Sequence, residues 1–552
     1  VGNIIDNFRR TRYARRGSAP RFTLFHALLC AAVVALLYCI NAHAAAPGIT
    51  GTNFDLSAEA NRISQPDGAS VYAWGYGCRT APSGFSPATI AGANCPSMQV
   101  PGPTLIVRQG DKVTVTLTNN LPEAAGNTSI LFPGFQVCAA VLNPDGTCPA
   151  TLTGVPGLLT REATHGNSVT YSFIASTPGT HSYYSGTQGD LQVEMGLAGA
   201  IIVLPTSTPT TPGGALAVPA GCRAVQSTLP DGQPDFRNAA AAYDHPLACY
   251  DREYLFQFSE MDPRIHTQAE QEASKPCSQA TGCMSVETEP YRPAYFMING
   301  RSMPDDMDPN YAQQYPHQPY NGNPHMHPGE PVLLRVIGSG RWQHPFHEHG
   351  NHVRVLARDG NLLLSKTDAT KLAGPLLFTT TTTPGLAMDG IFYWTGRGLN
   401  WDVYGHTAGD GSVCVPDANG YYTVNSNPPA PPNAPNYYEW CADHNRPLEA
   451  HPFGNVGSGG PVTLPDARLL TNGPWYGGSP YLGPDATIRA TSFTGTTPPS
   501  GTIANSPTSE AGFAYMWHSH NEREITTNNI FPGGMMMMML VDPQAFTINE
   551  GN

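Results

Sequence analysis

The sequence predicts an all-β chain of tandem β-sandwiches with a long loop-rich insertion in the second, and three observations lead there. Gly 57 and Pro 53 stand against only 13% charged residues, a balance that suits short strands and tight turns, because both residues are costly inside helices. Runs of strict apolar/polar alternation recur along the chain and are punctuated by Gly and Pro turns. At 552 residues the chain is also too long for one small domain and has room for two or three cores.

The amino-terminal segment reads as an export signal over residues 1–44. It has an Arg-rich stretch from residue 9 to residue 21, an apolar run from Phe22 to Ile40, and the small-residue ending Ala42-His43-Ala44. Cleavage is expected near Ala45, which leaves no stable membrane insertion; an uncleaved anchor is the rival reading, since the run is long enough to span a bilayer. Paired arginines at 9–10 and 15–16 are compatible with twin-arginine export. The destination is periplasmic or extracellular.

Formal charge is −13. Six arginines and one aspartate fall in the first 44 residues, so the remainder carries 23 positive and 41 negative side chains, or −18. Such a balance excludes nucleic acid as a natural partner and keeps an exported protein dispersed. Ten cysteines remain outside the signal, at 78, 95, 138, 148, 222, 249, 277, 283, 414 and 441. An even number in an exported chain implies disulfides; pairing of sequence neighbours would staple five loops, though other connectivities stay open.

The first sandwich is expected over residues 48–205. The text TLIVRQGDKVTVTLTNNL ending at Leu121 is a strand, a turn at Gln109-Gly110-Asp111 and a strand. VTYSF from Val169 leads through Pro178-Gly179-Thr180 to GLAGAIIVLP, ending at Pro205. Residues 206–246 begin with TSTPTTPGG and read as a linker. The second sandwich is expected over residues 247–545, from EYLFQF at Glu253 through AYFMING, PVLLRVIGSG and HVRVLARDG to FAYMWHSH and MMMMMLVDP. Within it, residues 361–510 contain five consecutive threonines (379–383), PPAPPNAP ending at Pro435, and cysteines 414 and 441. They read as an inserted, stapled loop region.

Chemistry concentrates in two histidine clusters, Gln343-His344-Pro345-Phe346-His347-Glu348-His349-Gly350 and Trp517-His518-Ser519-His520. Residues two apart on a strand share a face, so His347 and His349 point together, as do His518 and His520. Four imidazoles on neighbouring strands suit copper, zinc or another late first-row ion. Met535 to Met539 offer soft thioethers, but alternation sends consecutive methionines to opposite faces, and core packing is the expectation. His325-Met326-His327 reads either as an exposed metal-capture loop or as a turn.

PGPTLIVRQGDKVTVTLTNNL, HPFHEHG and MWHSH followed by GGMMMMMLV resemble the motifs of multicopper oxidases, a likeness that spans most of the chain outside residues 361–510. The resemblance implies tandem cupredoxin-like Greek-key sandwiches and copper as cofactor. It implies that His344 lies at a type 1 copper position and that His347, His349, His518 and His520 lie at trinuclear positions, giving His344, His347, His349, His518 and His520 as candidate metal ligands. It also shows departures. The family's His-Cys-His is here His518-Ser519-His520, and the next type 1 histidine is Glu524. In the first domain, the usual His-Trp-His and Trp-Tyr-His-Ser-His are replaced by Leu131-Phe132-Pro133 and Ser182-Tyr183-Tyr184-Ser185-Gly186. A serine cannot supply the thiolate of a blue copper site. His165 and His181 lie nearby without occupying ligand positions, and Tyr183, Tyr184, Glu348, Glu522 and Glu524 are the additional polar groups near the motifs.

The expected function is a copper-binding, multicopper oxidase-like protein, an oxidoreductase without a normal type 1 centre. The alternatives are a copper-handling protein without turnover and a cupredoxin-fold interaction scaffold. Partners compatible with these readings are a small-molecule or metal-ion substrate and, as the family resemblance implies, further copies of the chain in a homo-oligomer.

Overall fold

A computed structural model describes residues 46–205, 218–446, 478–479, 513–542 and 548, short of residues 89, 220, 227, 229–234, 278–281, 400–401, 405, 407–410 and 432–433. The export segment and parts of the linker and insertion lie outside the described residues.

Alternation builds the first sandwich as the sequence predicts. In Lys112–Asn119 the side chains of Val113, Val115 and Leu117 are buried, while Thr114, Thr116 and Thr118 are half-exposed. This strand sits between Asn53–Ser64 and Ser168–Ile174, with Ser70–Cys78 at the edge of the four-stranded sheet. A five-stranded sheet faces it, in the order Gly179–Tyr184, Ala198–Leu204, Leu105–Arg108, Gly48–Thr50 and Gly84–Ser86. Trp74, Tyr171, Phe173 and Tyr183 fill the space between the two sheets.

The second sandwich pairs a seven-stranded with a six-stranded sheet. The former runs Tyr295–Ile298, Arg252–Met261, Val332–Gly338, Ala387–Phe392, Val353–Arg358 and Asn361–Leu362, with Leu376–Leu377 also on Val353–Arg358. The latter runs His325–Met326, Met536–Val541, Phe513–Ser519, His344–Glu348 and Thr379–Thr382, with Gly478–Ser479 also on Phe513–Ser519. Phe256, Phe258, Phe346, Trp517, Met535, Met537 and Met539 meet in its core. The odd-numbered methionines are fully buried and Met538 is half-buried, so the methionine run is a packed strand, as alternation requires.

The threonine tract departs from the expectation of an inserted loop. Thr379–Thr382 is a strand paired antiparallel with His344–Glu348, with Thr380 and Thr382 buried and Thr379 and Thr381 half-exposed. β-branched side chains favour this conformation, but a homopolymer shows no polarity alternation to reveal it. Ala387–Phe392 is likewise a central, fully buried strand. Residues 376–392 therefore belong to the sandwich, and the loop-rich part begins beyond them.

All five disulfides join sequence neighbours: Cys78–Cys95, Cys138–Cys148, Cys222–Cys249, Cys277–Cys283 and Cys414–Cys441. Among the described residues one α-helix exceeds two turns, Pro263–Ala273, capped by Asp262, whose side chain accepts from the Arg264 N–H. Its Ile265 and Ala269 pack into the first sandwich's core. Among the described residues no helix is long and apolar enough to cross a membrane.

The two sandwiches join through the outer face of the five-stranded sheet, where Ile106, Ile202 and Leu204 pack on Leu255, Ile337 and Ala387. Beside this apolar contact lies a buried ionic network. Asp389 accepts from the Thr180 N–H (3.1 Å) and hydroxyl (2.6 Å) and from the Tyr243 hydroxyl. Arg335 donates to Glu253 (2.7 Å) and to the Thr180 hydroxyl (3.1 Å). Removing Asp389 takes the acceptor from three buried donors, the Thr180 N–H and hydroxyl and the Tyr243 hydroxyl, and leaves Arg335 with Glu253 alone. Asp389→Ala is therefore expected to destabilise the protein by about 3–5 kcal/mol, read as a lowered urea midpoint; a loss below about 1 kcal/mol, the range of an exposed pair, would contradict the role given to this network.

Candidate metal centre

One strand pair positions every histidine of the two clusters. His344–Glu348 and Phe513–Ser519 run antiparallel with Phe346 opposite Ser519, His347 opposite His518 and Glu348 opposite Trp517. Alternation then sorts the side chains into two sets. His344, Phe346 and Glu348 face inward with Trp517 and Ser519, while His347, His349, His518 and His520 gather on the outer face.

On the outer face the rings of His347 and His349 lie 4.7 Å apart between centroids, His347 and His520 4.7 Å, His349 and His518 5.1 Å, and His518 and His520 5.3 Å. His347, His349 and His518 each bring a ring nitrogen within 4.8 Å of the others and are buried, whereas the His520 side chain is 51% exposed. His518 Nδ1 donates to its neighbour's carbonyl, Ser519 O, at 2.8 Å, which leaves Nε2 with its lone pair. That nitrogen faces His349 Nε2 at 3.2 Å. Bonds of about 2.0 Å from one tetrahedral ion would set neighbouring ligand nitrogens about 3.3 Å apart. His347 Nδ1 lies 2.6 Å from the Thr379 hydroxyl, so the threonine tract orients a ring of the cluster.

Electrostatics favour neutral imidazoles, the form that binds metal. Burial, followed by the neighbouring His349, His520 and His518, holds His347 down to about 3. His518 is lowered, first by burial and then by His349 and His520. Three converging rings, two of them resisting protonation, make a fitting donor set for a late first-row ion.

The inner face is different. His344 is fully buried, with Nδ1 2.8 Å from Glu524 Oε2 and Nε2 2.9 Å from Glu260 Oε2. The Ser519 hydroxyl donates to the same Glu524 oxygen, and Asn521 donates to the other at 2.8 Å. Glu260 Oε1 accepts from the backbone N–H groups of Arg341 (2.7 Å) and Trp342 (2.8 Å). The three positions that the resemblance relates to type 1 copper, 344, 519 and 524, thus do meet in space, as a hydrogen-bonded His–Glu–Ser set with a second carboxylate behind it. His344 stands apart from the outer cluster. Glu348, on this inner face, is pushed up to about 8 by burial, with Oε1 accepting from Thr380 at 2.6 Å and Oε2 unpartnered.

Other sequence candidates have structural partners. Tyr183 donates to Pro103 O at 2.7 Å inside the first core. His165 Nδ1 lies 2.8 Å from Leu121 O and His181 Nε2 3.0 Å from Thr177 O. Leu131 bridges Tyr184, so the two first-domain segments that lack histidines are neighbours. His325 pairs with Asp542 at 2.7 Å and His327 with Glu330 at 3.2 Å, both buried, and His325–Met326 is a short edge strand, neither the exposed loop nor the turn expected. Sequence reasoning missed Glu260, which no motif marks at the end of a buried apolar strand. It also missed a second group, His406, Glu439 and His444, whose only mark in the sequence is Cys441 between two of its members.

Residues 82–208 match a protein family described as multicopper oxidase. Over 106 residues the chain is 36% identical to Laccase-3 of Botryotinia fuckeliana, covering 19% of this chain and 20% of that protein. Over 107 residues it is 36% identical to Laccase 1 of Metarhizium acridum, covering 19% and 15%. The matched stretch therefore spans a fifth or less of these relatives. The blue copper oxidase of Nitrosomonas europaea aligns over 88% of this chain and 85% of its own, at 16% identity and a TM-score of 0.41.

The inner network makes a pH prediction. Burial alone would lower His344, but hydrogen bonds to Glu260 and Glu524, and their charges, outweigh it and push the imidazole up to about 9. A raised histidine stabilises fully below its unfolded value near 6.5 and loses that contribution as pH rises through about 9, worth on the order of 3 kcal/mol. Unfolding midpoints at pH 6 and pH 10 should fall more for the native chain than for His344→Gln. Equal falls would contradict a charged His344.

Proposed function

We propose, from the multicopper oxidase match over residues 82–208 and the laccase likeness, that the chain is an exported, non-blue copper protein of the multicopper oxidase and cupredoxin superfamily whose redox chemistry takes place on the outer histidine cluster. The single observation that carries this reading is the register of His347 opposite His518, which converges three buried imidazoles with His520 at the rim. His347, His349, His518 and His520 would hold the ion; copper supplies one-electron exchange between two oxidation states there. The half-exposed His520 leaves an approach for a small-molecule or metal-ion substrate. Thr379 and the Ser519 carbonyl orient two of the rings. Five disulfides suit the oxidising compartment that an export signal implies.

A laccase-type relay through blue copper does not fit the inner residues. Both nitrogens of His344 are engaged by carboxylates, and Ser519 offers a hydroxyl in place of a soft thiolate. A copper carrier without turnover uses the same ligands, and the absence of oxygen consumption with any reductant would favour it over the oxidoreductase.

Two outcomes follow. Copper-loaded protein, freed of loosely held ions, should retain stoichiometric copper without intense blue absorption and lose it in His347→Ala/His349→Ala/His518→Ala/His520→Ala. Equal copper in both proteins, or none in either, would remove the outer site. Ser519→Cys combined with Glu524→His should create a blue chromophore at His344 when copper is added; a folded double variant that stays colourless would contradict the assignment of this pocket as a converted type 1 position.

A further inference from the structure

The second group of ligating side chains stands apart from the sandwich motifs, in the loop-rich part of the chain. Asp402 and His406 come from one side of a long excursion and Glu439 and His444 from the other, with the Cys414–Cys441 disulfide between them. His444 Nδ1 lies 2.8 Å from Glu439 Oε1, and His406 Nδ1 lies 3.5 Å from the same oxygen. The two imidazole rings are 4.4 Å apart. One ligand atom from each of His406, Glu439 and His444 lies within 4.8 Å of the others.

Each residue is held in place. Asp402 Oδ2 sits 2.7 Å from His406 Nδ1 and accepts from the His406 N–H at 3.1 Å, while its other oxygen accepts from the Tyr404 N–H at 2.8 Å. Asn436 donates to Glu439 Oε2 at 2.6 Å, which turns Oε1 toward the histidines. The ring of Tyr404 stacks on that of His406, 6.0 Å between centroids. A carboxylate behind a ligating histidine is the usual means by which such a ring is fixed.

Charge makes the arrangement more than a hydrogen-bonded loop. Asp402 is 3% exposed and Glu439 1%, and among the described residues no lysine or arginine pairs with either; their ionic partners are His406 and His444 alone. Two buried carboxylates beside two imidazoles need two positive charges, because an unpaired buried carboxylate costs several kcal/mol. A divalent cation supplies both at once, and one ligand atom from each of His406, Glu439 and His444 already lies within 4.8 Å of the others.

We propose that His406, Glu439 and His444, with Asp402 holding His406, form a second divalent-metal site of the Zn2+ class that clips the two sides of the 402–444 excursion together. The donor set is two nitrogens and one carboxylate oxygen, with no thiolate or thioether, which selects a borderline divalent ion over cuprous copper. The site closes nearly the same span as Cys414–Cys441, so ion and disulfide reinforce one another. It is independent of the outer histidine cluster and of any copper chemistry there.

The test is Zn2+ titration of the full chain bearing His347→Ala/His349→Ala/His518→Ala/His520→Ala, with metal content measured after removal of loosely bound ion. One equivalent per chain is expected, falling to none when His406→Ala/His444→Ala is added. No bound Zn2+ in the first protein, or one equivalent in both, overturns the site. Should the four-alanine protein fail to fold, the comparison is made on the native chain, where His406→Ala/His444→Ala must bind one equivalent less than its parent and equal stoichiometry overturns the proposal. Glu439→Gln, which keeps shape and hydrogen bonding but removes charge, should weaken Zn2+ binding at least tenfold; unchanged affinity would show that the carboxylate is not a ligand.

Discussion

The register between His344–Glu348 and Phe513–Ser519 is the constraint on which the rest depends. Because side chains alternate across a strand, setting His347 opposite His518 fixes two chemistries on the two sides of one sheet. A slip of one residue would bury the four clustered imidazoles in the methionine and aromatic core and expose Phe346 and Trp517. The core therefore enforces the site: Phe346, Trp517, Met535, Met537 and Met539 can pack only in the register that puts His347, His349, His518 and His520 outside.

The same alternation separates opposite electrostatic solutions. Outside, histidines crowd one another, and burial with that crowding disfavours a proton on His347 and His518. Inside, one histidine lies between two buried carboxylates and is held protonated. That imidazolium places a positive charge between the buried carboxylates of Glu524 and Glu260. At the boundary between the sandwiches, Arg335 plays a comparable part between Glu253 and Asp389.

Much of this was legible in the sequence. The first sandwich follows from the TLIVRQGDKVTVTLTNNL hairpin, and the pairing of His-x-His motifs follows from a period of two. The packing of the methionine run was readable for the same reason. What could not be read lacked a pattern. Thr379–Thr382 is a strand whose identical residues hide their own alternation, and its role in orienting His347 emerges only from pairing. Glu260 and His344 are 84 residues apart and meet through sheet topology. His406, Glu439 and His444 are likewise brought together by a disulfide-stapled excursion without regular strands, where spacing along the chain predicts nothing about spacing in space.

The most direct test of the central claim is X-ray absorption at the copper edge of the loaded native protein, which reports ligand type without relying on a variant's fold. The account predicts a shell of three or four imidazole nitrogens at about 2.0 Å, with the outer-ring scattering of histidine and no sulfur. A sulfur shell at a longer distance, or oxygen ligands without imidazole scattering, would place copper elsewhere and contradict the outer-face site.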